Sequence, residues 1–128
     1  MTALRVELSW PAAELSPNAR VHHFILARFK KAAKTEAGWA TKLALQSNRH
    51  WAPPEDKIPV HLIAHPPEAW RTGDADNFIA RCKAHLDAIA KAVGVNDRKF
   101  SAPTVEWADR QGRGKLIVLI GSAEMVAR

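Results

Sequence analysis

The chain has 128 residues, of which 47% are hydrophobic and 25% charged, and its 19 Lys and Arg against 13 Asp and Glu give a formal net charge of +6. That length supports one core and a single domain over 1–128, and the composition excludes a disordered or membrane-embedded chain. A lone cysteine, Cys82, excludes an intramolecular disulfide and any cysteine-based zinc site.

The longest apolar run, Leu116 to Ile120, is far short of the ~20 residues a membrane helix needs. The N-terminus carries no basic-then-apolar signal pattern. A cytoplasmic location with no membrane partner is therefore expected. Excess Lys and Arg favour a polyanionic partner, because phosphate contacts release counterions.

In chain order, Leu4, Val6, Leu8 and Trp10 alternate with Arg5, Glu7 and Ser9, which predicts a half-buried strand. From about Arg20 to Ser47 there is no proline and much Ala, Lys, Arg and Leu, which predicts one long helix loosened at Gly38. Val21, Ile25, Leu26, Phe29 and Ala33 are expected to line its apolar face. Arg28, Lys30, Lys31 and Lys34 point elsewhere, either as a plain solvated face or together as a track for a phosphate backbone.

Ile58, Val60, Leu62 and Ala64 predict a second strand, stopped by His65-Pro66-Pro67. Gly73-Asp74-Ala75-Asp76-Asn77 then opens a helix expected to run to Val93, with Gly94 as its left-handed stop. Phe78, Ile79, Cys82, Leu86, Ile89, Ala90 and Val93 fall on one face of that helix at ~100° per residue. Thr104 to Trp107 and Lys115 to Ile120 read as strands, joined by a hairpin loop over Asp109 to Gly114. The predicted fold is α/β (α+β), a mixed sheet of about four strands with two main helices, in the order β-α-β-α-β-β.

Asp74 and Asp76 stand one residue apart at a helix start, where Asp and Asn are preferred caps and acids suit the helix dipole. Capping needs only one of them. Hard cations such as Mg²⁺ are held by one or two carboxylates with water and substrate phosphate oxygens, which gives the pair a second role. Asp97 supplies a third carboxylate if the chain folds back, and is otherwise an ordinary turn residue. Three such acids suit phosphodiester hydrolysis, in which a metal neutralises developing charge and activates water.

Lys83, seven residues after Asp76, projects from the same flank of an unbroken helix, where it would steer a phosphate or pair with Asp87 at i,i+4. The six histidines have no metal-protease spacing, and no serine lies in a nucleophile elbow. Trp10 and Trp107 are expected in the core or a dimer interface, and Trp70 beside Arg71 as the one indole near the acids. Arg110, Arg113 and Lys115 at the hairpin tip are placed to touch a DNA backbone.

Taken together, Trp10-Pro11, the turn from Ser16 to His22, the Lys30-Lys31 helix, Asp74-Ala75-Asp76-Asn77, Lys83, Leu86-Asp87, Gly94-Val95-Asn96-Asp97 and the glycine-rich segment before the last strand resemble the RusA-type Holliday-junction resolvases. The resemblance spans nearly the whole chain. It implies a homodimeric, Mg²⁺-dependent crossover junction endodeoxyribonuclease, with Mn²⁺ as a substitute, that makes paired cuts in branched double-stranded DNA during recombination and repair. It assigns the metal-binding catalytic aspartates to Asp74, Asp76 and Asp97, with Lys83 as the catalytic lysine. The DNA contacts expected are Arg20, Arg28, Lys30, Lys31, Lys34, Arg71, Arg81, Arg110 and Arg113.

The chain departs from the family pattern at three places. Gly73 stands where a basic residue is usual, Ala80 where some members have the lysine, and Asn96-Asp97 where the usual pair is Asp-Asp. The alternative expectation is a non-catalytic, structure-selective DNA-binding protein on the same fold.

Overall fold

The computed structural model describes residues 3–70 and 73–121. Strand β1 (Leu4–Ser9) leads through a 3-10 turn (Ala13–Leu15) to helix α1 (His23–Ser47) and strand β2 (Val60–His65). Then follow α2 (Ala75–Arg81), α3 (Lys83–Val93), a second 3-10 turn (Asp97–Lys99), β3 (Thr104–Trp107) and β4 (Lys115–Ile120). The fold is mixed α/β, as the periodicities predict, but with three helices rather than two.

The four strands form one sheet in the order β1-β4-β2-β3. β4 runs antiparallel to β1, with Leu4 opposite Ile120, and antiparallel to β2, with Val60 opposite Ile120. β3 lies parallel to β2, His61 opposite Thr104. The segment from Asp109 to Gly114 is therefore not a hairpin loop. β4 is apolar on both faces and almost wholly buried, so it occupies the middle of the sheet, whereas the exposed β3 takes an edge. The loop between them closes over the Pro66-Pro67 end of β2: Gln111 N donates to Pro66 O at 3.0 Å and Glu68 N to Gly112 O at 3.1 Å. Gly114 has φ +88°, and a Cβ there would meet Pro67 Cδ at 2.8 Å and Trp10 Cβ at 2.9 Å, so only glycine fits.

One face of the sheet carries the core. Leu4, Val6, Leu8, Val60, Leu62, Ala64, Leu116, Val118 and Ile120 pack under Ala37 of α1 and under Phe78, Cys82, Leu86 and Ile89 of α2 and α3. The apolar stripe expected from Phe78 to Val93 is thus realised, with Ile79 and Val93 only partly buried.

The stripe expected on α1 is realised only in part, with Ala33 buried and Leu26 and Phe29 half-buried. Its buried residues are Ala33, Ala37 and Thr41, while Ile25 is 44% exposed. Small side chains let α1 lie close against the sheet and α3, and the larger residues of its first turns extend past that contact. α1 begins at His23, later than expected, with His22 Nδ1 accepting from Phe24 N at 3.3 Å, and it runs through Gly38 without a break.

The helix expected from Asp74 to Val93 breaks at Cys82, whose φ of −92° and ψ of 1° leave the α region. Neither glycine nor proline marks the break. It falls beside Arg81, whose guanidinium is drawn to the chain after β1: Nε donates to Pro11 O at 3.0 Å and Ala12 O at 3.1 Å, and Nη2 donates to Pro11 O. α3 ends as predicted on Gly94, at φ 83°.

Candidate functional site

A helix start builds the acidic segment. Asp74 is extended, at φ −78° and ψ 133°, and caps α2: its Oδ1 accepts from the Asp76 amide at 2.9 Å, and its carbonyl from Phe78 N at 3.0 Å. Asp76 follows in the first turn, and both residues are exposed. Asp74 therefore fills the capping role alone, and Asp76 is surplus to it.

Asp97 opens the second 3-10 turn. Asn96 caps that turn, its side-chain oxygen accepting from Arg98 N at 2.9 Å, so the Asp97 carboxylate is not needed there. Asp97 lines a cleft of about 270 Å³ with Ile79, Ala80, Lys83 and Asp87. Residues four apart share a helix face, so Ala80 lies on the Asp76 side of α2. The chain beyond α3 has folded back to the helix that carries the first two acids.

The three carboxylates are nonetheless not drawn into a closed ligand cage. Among the described residues, no group of three or more His, Cys, Asp or Glu side chains is placed to hold a metal ion. Asp74 faces a separate cleft of about 150 Å³ with Ser16, Trp70, Asn77 and Arg81. The donors are of the right kind, exposed hard oxygens, and Mg²⁺ accepts one or two carboxylates with water completing its shell. Exposed carboxylates of this kind suit a hydrated cation at the start of α2, while Asp97 lies in the neighbouring cleft.

Lys83 Nζ stands 3.5 Å from Asp87 Oδ1, the i,i+4 ion pair. The common flank expected for Lys83 and Asp76 presumed an unbroken helix, and the break at Cys82 falls between the two residues. Lys83 instead shares its cleft with Asp97.

Beneath the acids lies an aromatic block that sequence patterning did not reveal. Trp70 stacks on Trp107 with centroids 5.2 Å apart and meets Trp10 edge-on at 5.4 Å, while Phe78 packs against Trp10 at 5.0 Å and Trp107 at 5.2 Å. Three tryptophans distant in sequence thus form one platform under the start of α2. Trp107, expected in the core or a dimer interface, is 39% exposed.

No family model matches this sequence. An uncharacterized protein of Xylella fastidiosa (strain Temecula1 / ATCC 700964) is 34% identical over 125 residues, a match covering 94% of this chain and 78% of the relative. The chain belongs to that protein's family. A match of that extent covers the fold rather than one motif.

The basic residues divide into two groups in this family member. Arg81, half-buried, is committed to Pro11 and Ala12, and burial lowers its pKa from the usual arginine value. Arg110 Nη1 donates to Pro67 O at 3.3 Å and to Trp70 O. Lys115 pairs with Glu7 at 3.0 Å. These three, expected to meet or steer phosphate, each make bonds that tie the chain together. Arg20, Arg28, Lys30, Lys31, Lys34 and Arg113 are exposed. Arg71 lies outside the described residues.

Two buried titratable groups lie away from the acids: Cys82, on the apolar face expected of it, and His85, whose burial the sequence pattern did not reveal. Cys82 is fully buried and its thiol is pushed up to about 12 by burial, so it is no nucleophile at neutral pH. His85 is 3% exposed, and its Nδ1 lacks a hydrogen-bond partner among the described residues; burial lowers its pKa.

Proposed function

We propose that the chain is a Mg²⁺-dependent crossover junction endodeoxyribonuclease of the RusA type, hydrolysing phosphodiesters at four-way DNA junctions in recombination and repair. The return of Asp97 to the cleft beside Ala80 and Lys83, on the Asp76 side of α2, carries this reading. It brings the acid after α3 back to the helix that presents the other two.

Asp74, Asp76 and Asp97 would hold the cation. Mg²⁺, or Mn²⁺ in its place, supplies Lewis-acid polarisation of the scissile phosphate and an activated water when bound. Asp74 keeps Oδ1 on the Asp76 amide, which fixes the start of the helix and leaves Oδ2 for a ligand. Lys83 brings a mobile ammonium to the Asp97 cleft, where it offsets phosphate charge. The exposed cations of α1 hold the flanking backbone. One chain offers one acidic centre, so paired cuts call for a homodimer whose two-fold axis matches that of the junction. A cytoplasmic location accords with that substrate.

The second reading is a non-catalytic, structure-selective DNA-binding protein. It is favoured by Ala80 at the family's lysine position and by acids not gathered into a three-ligand group among the described residues.

Cleavage of a synthetic four-way junction by wild type and Asp76→Asn, in Mg²⁺ and in Mn²⁺, decides between them. The nuclease reading expects cutting by wild type, and binding without cutting by the variant. Tight binding with no cutting in either metal, and no heat of metal uptake sensitive to Asp74 and Asp76, leaves the second reading.

A further inference from the structure

The groove between α1 and α3 has a volume of about 860 Å³ and is lined by five lysines, Lys30, Lys31, Lys34, Lys42 and Lys91, against a single carboxylate, Asp87. Asp87 already has Lys83 at 3.5 Å, so it does little to balance the others. Lys42 Nζ stands 5.1 Å from the centroid of the Trp39 ring, which orients the lysine without neutralising it. Small residues such as Gly38 and Ala88 line the groove between the lysines, so no bulky side chain there fends off an extended backbone. Like charges crowded in this way oppose folding unless an anion sits among them.

The spacing suits phosphates. Lys30 and Lys42 are twelve residues apart, about 18 Å along α1 at ~1.5 Å per residue. A run of that length can follow several successive phosphates of one strand.

The groove also connects with the acidic end of the molecule. Lys30 and Lys34 line a second cleft with Ala80 and Lys83. Lys83 and Asp87 in turn line the cleft of Asp97. The three depressions are neighbours that share lining residues, in order from Lys42 and Lys91 to Asp97.

We propose that the α1/α3 groove seats the sugar-phosphate backbone of one DNA strand and leads it past Lys30 and Lys34 to the acids at α2. Lys42 and Lys91, which neither the sequence pattern nor the family resemblance singles out, are then phosphate contacts. This rests on the DNA reading above and adds a path for the strand.

The test measures binding of a labelled four-way junction to the full chain without divalent metal over a series of salt concentrations. Lys42→Ala and Lys91→Ala should each reduce the slope of log affinity against log salt by about 0.9, and the double variant by about 1.8. Arg5→Ala, which removes a charge from the sheet face opposite the core, should leave the slope unchanged. Unchanged slopes in the lysine variants, or an equal loss in Arg5→Ala, overturn the groove, and cutting by wild type but not by Asp76→Asn would leave the nuclease reading standing. Slope losses confined to Lys42 and Lys91 in a protein that cuts no junction uphold the groove and remove the nuclease reading. A wild type that binds no DNA at low salt overturns both.

Discussion

Gly73 lies against the indole of Trp70, so that a Cβ at position 73 would meet Trp70 Cζ2 at 3.0 Å and Cη2 at 3.2 Å. The ring cannot easily give way, because Trp10 and Trp107 hold it from two sides. Gly73→Ala should therefore destabilise the fold by about 1 kcal/mol through overpacking. Chemical denaturation followed by tryptophan fluorescence checks this. Placing Gly73→Ala in a Trp70→Phe background should remove most of its effect, since the smaller ring withdraws the clashing atoms.

Local signals made much of this molecule legible. The alternation at Leu4, Val6 and Leu8, the stripe from Phe78 to Ile89 and the glycine stop at Gly94 each follow from a period or a φ requirement that few residues express. What escaped was set by partners far along the chain. β4 takes the centre of the sheet because β1 and β2 both pair with it, and no signal in Asp109 to Gly114 announces that. The break at Cys82 falls beside an arginine bonded seventy positions away. His61 bridges Thr104 at 2.6 Å and Glu106 at 3.0 Å across the β2–β3 register, a contact that needs the register to be known. The acids were legible as types at a helix start, but their separation into two clefts followed from the tertiary path.

Asp74 combines a structural role with a proposed chemical one, and two substitutions separate them. Asn caps helices as well as Asp, so Asp74→Asn should retain stability while lowering metal affinity and junction cleavage. Asp74→Ala removes the oxygen that accepts from Asp76 N and should additionally destabilise the fold by about 1 kcal/mol. Thermal unfolding alongside cleavage rates tests the pair. Equal stability of the two variants would show that the cap contributes nothing.

Arg81 is held by carbonyls rather than presented to solvent, so its loss should appear in stability and not in DNA affinity. Arg81→Ala leaves the Pro11 and Ala12 carbonyls without this donor and should destabilise by about 1.5–3 kcal/mol, the range for hydrogen bonds to a charged group. Arg81→Lys keeps the charge but loses the forked geometry, and should recover only part of that. Both variants should keep the wild-type salt dependence of junction binding. A reduced salt slope would instead make Arg81 a phosphate contact.

His85 should make the fold sensitive to mild acid. It lines a cavity of about 150 Å³ with Ser9, Trp10 and Glu36, and burial lowers its pKa, opposed in part by the Glu36 carboxylate. Glu36 itself accepts from Ser9 N and Ser9 Oγ, each at 2.9 Å, which fastens α1 to the end of β1. In the unfolded chain a histidine takes up its proton near pH ~6.5. The native protein takes it up only at lower pH, so between the two values the unfolded state binds more protons. Stability is then full above about pH 6.5 and falls as pH drops toward the native value, by at most about 1.4 kcal/mol per pH unit. Denaturation midpoints between pH 8 and pH 5 should show this loss in wild type and a flatter profile in His85→Gln, which cannot take up the proton. Identical profiles would mean that His85 gains its proton as readily in the folded chain as in the unfolded one.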